Sequence, residues 1–177
     1  MAQFARPNSN PTNSTWNTSP LDSKVDEGAP GDGTVITTAT NANGKIAVFG
    51  TNSVTDPVSS TGYILRVRGA KSGASGANYQ IAVELREAYV NESTQGTLRA
   101  TLTHVYNDDI LATDEYTLST AEANSVSDHT DLFLRVVTTK SGGGGNQSVD
   151  VDFVELETED AAAEAEETHA RVHISQP

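Results

Sequence analysis

From residue 34 onward, apolar and polar residues alternate with a period of two, which places successive side chains on opposite faces of an extended strand. Residues 79–87 carry the cleanest pattern: Tyr79, Ile81, Val83 and Leu85 share one face, and Gln80, Glu84 and Arg86 the other. Residues 97–105 repeat it, with Leu98, Ala100 and Leu102 set against Arg99, Thr101 and Thr103, and at 63–68 Tyr63, Leu65 and Val67 oppose Ile64, Arg66 and Arg68. In 149–157, Val149, Val151 and Phe153 alternate with Asp150 and Asp152. Residues 132–137 are apolar at nearly every position, which predicts a central strand covered on both faces. With the shorter β-rich runs at 34–38, 45–50 and 114–118, the chain is expected to form about eight strands at the spacing of an all-β, antiparallel β-sandwich of jelly-roll type. Leu65, Val83, Leu102 and Phe153 should then meet in one dry layer between two sheets.

Turn-forming clusters separate these runs. They are Asn41-Ala42-Asn43-Gly44, Asp56-Pro57, Thr61-Gly62, the Gly/Ser stretch 71–78, Asn107-Asp108-Asp109, and the four glycines within 141–146. Ser119-Thr120-Ala121-Glu122 is a capping-box pattern and predicts one short helix ending near Asn124. The organisation expected is an N-terminal polar arm (1–33), a sandwich domain (34–157) and an acidic C-terminal tail (158–177). Phe4 and Trp16 are isolated apolar anchors in the arm, docking either into the domain or into a neighbouring subunit, and so are candidates for subunit contact. In the tail, 159–167 has high helix propensity but no basic partner at i+4, and 170–174 has the composition of an edge strand.

Composition narrows the function classes. At 177 residues the chain is one ordinary domain, able to bury roughly 70% of the surface its unfolded form exposes. A net charge of −13 repels phosphate backbones and anionic bilayers, so neither a nucleic acid nor a membrane is the expected partner. The absence of Cys removes disulfides, thiolate nucleophiles and thiolate metal sites together. The first residues lack a basic segment followed by an apolar one, so no signal peptide is expected.

Candidate chemistry is thin. Asp108-Asp109 and the Asp150/Asp152 pair have a spacing compatible with glycoside cleavage, but with 24 acidic residues in the chain such pairs arise by chance, and a solvated face is the expected reading. His169 and His173 stand four apart without the glutamate of a zinc-protease helix, and His104 has the parity of a core histidine. No G-x-S-x-G elbow is present, and Gly142–Gly145 lacks the Lys-Ser/Thr of a phosphate cradle. No cofactor is expected apart from a structural Ca²⁺, for which Asp26, Glu27 and Asp152 are the oxygen-donor candidates. The chain is therefore not expected to be an enzyme.

The polar arm with Trp16, LDSKVDE at 21–27, YILRVR at 63–68, Lys71-Ser72-Gly73, the strand 79–85, the TLS-x-A-E helix and D-x-T-D-L-x-L-R-V at 128–136 together resemble a jelly-roll module widespread in tailed-bacteriophage genomes. The resemblance spans roughly residues 3–157. It implies a non-enzymatic virion protein, a capsid decoration on the particle exterior that contacts the major capsid protein and forms a homo-oligomer. The family is similar in shape to carbohydrate-binding jelly rolls, which makes a glycan- or receptor-binding module of a fibre or tail tip the alternative.

Overall fold

A computed structural model describes residues 1–14, 16, 20–31, 33–73 and 76–161. Ten strands and one helix follow in chain order: β1 (Gln3–Ala5), β2 (Pro7–Ser14), β3 (Ile36–Thr37), β4 (Ile46–Thr51), β5 (Ile64–Lys71), β6 (Tyr79–Glu87), β7 (Thr97–Tyr106), β8 (Ala112–Thr117), α1 (Thr120–Ala123), β9 (Leu132–Lys140) and β10 (Val149–Thr158). Every pairing is antiparallel. One sheet has the order β1-β10-β5-β8, with β3 joining the same flank of β10 as β1; the other has the order β2-β4-β9-β6-β7. Apart from the β6–β7 hairpin, each step along the chain changes sheet. The result is a two-sheet antiparallel β-sandwich of jelly-roll type. Among the described residues no helix is long and apolar enough to cross a membrane.

Two-residue alternation positions the core as expected in β5 and β6. Leu65 and Val67 from one sheet and Tyr79, Ile81, Val83 and Leu85 from the other lie in one buried cluster. The near-continuous apolar run of β9 sits between β4 and β6, with Leu132, Leu134 and Val136 facing the core. The sheets approach closely where β5 reaches Gly69: a Cβ there would come within 2.6 Å of Ile81 Cδ1 and 3.4 Å of the Tyr106 ring. A hydrogen at that position is a packing requirement between the layers. At α1 the capping box forms in full, Ser119 accepting from the Glu122 backbone and Glu122 accepting from the Ser119 backbone.

Two β-bulges change the register that alternation alone gives. Pairing of β6 with β7 shifts between Leu85 and Arg86, so Leu98 pairs with Arg86 and stands 49% exposed rather than in the core. Pairing of β10 with β5 shifts between Val151 and Phe153, so Val154 and Leu156 take over the inward face. Phe153 is buried opposite Arg68 but is no part of the core cluster, a correction to its expected place beside Leu65, Val83 and Leu102.

The segment expected as a polar arm also differs. β1 pairs with β10 and β2 with β4, so the chain switches sheets at Arg6 and contributes a strand to each. Polar side chains are compatible with this because the backbone supplies the ladder, and Pro7 and Pro11 sit in a strand at the sheet edge, where a missing N–H is tolerated. Trp16 is buried in the cluster of its own domain, paired through its backbone with Thr38, and Phe4 is half-buried with Arg6 stacked 4.5 Å over its ring. The tail helix, the 170–174 strand, His169 and His173 lie outside the described residues.

Replacing Leu134, fully buried in the central strand, by Ala should cost about 2–5 kcal/mol in urea unfolding, whereas Leu98→Ala should stay within about 0.5 kcal/mol. Equal losses at the two positions would contradict the bulge in β7.

Candidate functional site

At one end of the sandwich the segment after β4 and the segment before β9 enclose a cleft of about 480 Å³. It is lined by Gln3, Ser53, Val54, Thr55, Asp56 and residues 127–130. Its floor is Val54 and His129, both buried, and the Val54 N–H donates to the His129 carbonyl at 3.2 Å, which ties the two walls together. Beneath the floor, the His129 Nε2 and the Tyr63 hydroxyl share a hydrogen bond of 2.7 Å. Burial, reinforced by the Asp56 and Glu159 carboxylates, pushes the Tyr63 hydroxyl up to about 12, so it remains neutral across the physiological range.

The rim is fixed by short-range bonds. The Thr55 N–H donates to Gln3 Oε1 at 2.8 Å, and Gln3 Nε2 returns a bond to the Thr55 carbonyl at 2.9 Å. Asp128 accepts from the Thr130 N–H at 2.8 Å and its hydroxyl at 2.6 Å, and these bonds hold its carboxyl below the ordinary value. Asp56 accepts from the Val58 N–H at 2.8 Å, in a turn that forces Val58 to φ 57°. A β-branched residue in the left-handed region is strained by about 1–3 kcal/mol, and the surrounding structure must hold it there. Behind the opposite wall, Ser127 donates its N–H and hydroxyl to Glu87, which also accepts from Arg99 Nε at 3.0 Å.

The sequence-stated candidates fall elsewhere. Asp26, Glu27 and Asp152 form no site: among the described residues no three His, Asp or Glu side chains come together to hold a metal ion. Asp152 receives Arg68 Nη1 at 2.7 Å, and Glu27 receives the Thr34 hydroxyl at 2.7 Å. Asp108 accepts from the Ile110 N–H within the β7–β8 turn. His104 keeps its inward parity, but on an edge strand it stands half-exposed, with its Nδ1 2.7 Å from Asp114 Oδ1. Every described Trp, Tyr and Phe is buried or half-buried, so no exposed flat ring is available for stacking.

Displaced carboxyls move in one direction. Burial works to raise Glu87, but the Ser127 and Arg99 bonds outweigh it and the carboxyl lies below its ordinary value. The Arg135 guanidinium lowers Glu92 and the Ser119 bonds lower Glu122. A general acid needs the opposite shift. The residues of the cleft were hidden in the sequence because they come from the arm and two turns; Asp56-Pro57 and Asp128-His129-Thr130 signal turns, not the convergence of the two.

No protein-family model matches the chain, and no curated protein matches it. Among solved structures it is similar to a cleaved adhesin domain of Lys-gingipain from Porphyromonas gingivalis, at 9% identity and a TM-score of 0.47, over 89% of this chain and 99% of that one. It is similar to a xylan-binding module at 14% identity and a TM-score of 0.45, over 92% of this chain and 99% of that one. A carbohydrate-binding module specific for non-crystalline cellulose matches at 13% identity and a TM-score of 0.45, over 80% and 86% of the two chains. At these identities and TM-scores the likenesses assign no ligand to this chain.

Because the folded-state affinity of Glu87 for a proton is lowered, its contribution to stability is present above pH 4.5, the ordinary value for the group, and is lost as pH falls through the folded value. Glu87→Gln should therefore flatten the fall of the melting temperature below pH 4.5, leaving its slope near neutrality unchanged. An acid limb identical to that of the wild type would contradict the assigned role of the Ser127 and Arg99 bonds.

Proposed function

We propose that the protein is a non-catalytic recognition module whose cleft takes the end of a neutral, polyhydroxylated saccharide. The supporting observation is the convergence of Asp56, Asp128, Ser53, Ser127, Thr55 and Thr130 over a buried floor of Val54 and His129. Sugar hydroxyls both donate and accept, and this set offers carboxylate acceptors, the Ser53 and Thr55 hydroxyls, which do either, and the Ser127 and Thr130 hydroxyls, which donate to Glu87 and Asp128 and can still accept. Charge-assisted bonds to the two carboxylates would supply most of the orientation. Those carboxylates, on a chain of net charge −13, disfavour anionic glycans.

Two further features support the reading. The rim is held before any ligand arrives, by the Gln3–Thr55 pair and the Asp128–Thr130 turn, which limits the ordering cost of binding. Strain at Val58, adjoining the cleft, is the kind of backbone cost that accumulates where a site shape is kept. With no exposed ring to stack on, recognition rests on hydrogen bonds, which favours a chain end over the flat surface of a polymer. The non-enzymatic character belongs to this proposal; within the cleft, the lowered carboxyl of Asp128 is unsuited to act as a general acid. A capsid-decorating role on the exterior of a tailed-phage particle rests on the sequence resemblance; a saccharide-binding module carried on such a particle would satisfy both.

A neutral-glycan array should return hits that calorimetry confirms. Asp56→Asn and Asp128→Asn keep an oxygen acceptor for the turn but remove the charge, and each should weaken binding by about 10-fold or more. An array without hits, or a hit that both variants bind as tightly as the wild type, would overturn the proposal.

A further inference from the structure

The floor of the cleft contains a polar pair whose proton placement is decided by burial. The Tyr63 hydroxyl is 1% exposed, and its one hydrogen-bond partner among the described residues is His129 Nε2 at 2.7 Å. A neutral imidazole carries a proton on one nitrogen and a lone pair on the other. A proton on Nε2 would donate to the Tyr63 oxygen and leave the phenol hydrogen buried without an acceptor, at the full desolvation cost of that group. With the phenol donating to a bare Nε2, both atoms are satisfied. Tyr63 keeps its proton for this bond, because burial and the Asp56 and Glu159 carboxylates raise it to about 12. The imidazole proton therefore sits on Nδ1. That nitrogen takes part in no hydrogen bond with a described residue and is not sealed from solvent, so on a side chain only 6% exposed it opens on the cleft that His129 lines.

The other side-chain N–H groups of the lining, those of Gln3 Nε2, are committed to the Thr55 and Glu159 carbonyls. His129 Nδ1–H is thus an obligate donor set into the floor. Val54, joined to His129 through its backbone N–H at 3.2 Å, puts an apolar surface beside it. Asp56 and Asp128 each use Oδ1 in their own turns, and Oδ2 of each takes no bond from a described residue. One donor, one apolar surface and open carboxylate oxygens are the complement of an acetamido group, which has a carbonyl, a methyl and an N–H. We infer, resting on the saccharide reading of this cleft, that the end it takes is an N-acetylhexosamine. The acetamido carbonyl accepts from His129 Nδ1–H, the methyl covers Val54, and the N–H donates to a carboxylate Oδ2. A plain hexose has a hydroxyl in place of this group; it can accept from Nδ1–H but leaves Val54 wet and makes one bond fewer. Tyr63 touches no part of the sugar and is a positioning residue, fixing the tautomer of His129.

Two measurements on the full chain test this. Long-range proton–nitrogen NMR correlations of the His129 ring, at a pH where the imidazole is neutral, should show Nδ1 protonated and Nε2 bare. Tyr63→Phe should let an Nε2–H form appear. In calorimetry, the methyl glycoside of N-acetylglucosamine or of N-acetylgalactosamine should bind about 10-fold more tightly than its parent hexoside. Tyr63→Phe/His129→Leu removes both members of the buried bond together, which avoids stranding either one, and should erase that difference. A proton on Nε2 in the wild type, a tautomer unmoved by Tyr63→Phe, or equal affinity for the acetamido and plain glycosides would overturn the inference and leave saccharide binding itself standing. Binding of neither class, in the array or by calorimetry, would overturn both.

Discussion

The structure depends on a dry layer of aliphatic and aromatic side chains between two sheets, and on the strands β9 and β10 that hold each sheet together. β9 has neighbours on both flanks, β4 and β6, while β10 holds β5 on one flank and both β1 and β3 on the other. With few aromatics in the chain, the layer is built largely from Val, Leu, Ile and Ala. Such a layer leaves little slack. Where β5 packs over β6, a Cβ at Gly69 would press on Ile81 Cδ1 at 2.6 Å and the Asp150 carbonyl at 3.1 Å. Close packing of this kind explains why large-to-small changes in the interior are costly while the outward rows tolerate polar and apolar residues alike.

Charge is organised on the outside of that layer. Arg66 lies across the first sheet between Glu115, Glu155 and Glu157, and these carboxylates hold its guanidinium protonated against the opposing effect of burial. Arg6 reaches the same Glu155 from the link between β1 and β2. On the second sheet Arg135 joins Glu84 and Glu92, and Tyr89 packs at 5.5 Å from Phe133 beside it. Isolated surface pairs contribute little, but a half-buried guanidinium shared by several carboxylates fixes strand register as well as neutralising charge. In a chain so acidic, the few arginines are placed where carboxylates would otherwise face one another across strands.

Much of the fold was legible from the period of two. All eight strands read from the pattern are present, and β6, β9 and the capped helix match it closely, because their side-chain parity and Ser119–Glu122 chemistry are local. Phe153 and Leu98 broke the pattern because a bulge adds one residue to one strand and inverts parity beyond it, and nothing in either residue type announces that. β1 and β2 were illegible for another reason. Their stability comes from backbone ladders to β10 and β4, strands more than thirty residues away in sequence, and their side chains carry little apolar signal. The cleft shares that limitation: Gln3, Asp56 and Asp128 become neighbours only when the sheets close. Cleft and sandwich are thus one problem, since the walls that carry the polar groups are the crossings between sheets.

Residue-resolved hydrogen exchange tests the two-sheet core most directly. If one shared layer holds both sheets, amides of β9 and β10 should exchange only through global unfolding, with the same free energy and the same response to denaturant. Protection confined to one of these strands, or two sheets opening at independent free energies, would contradict it.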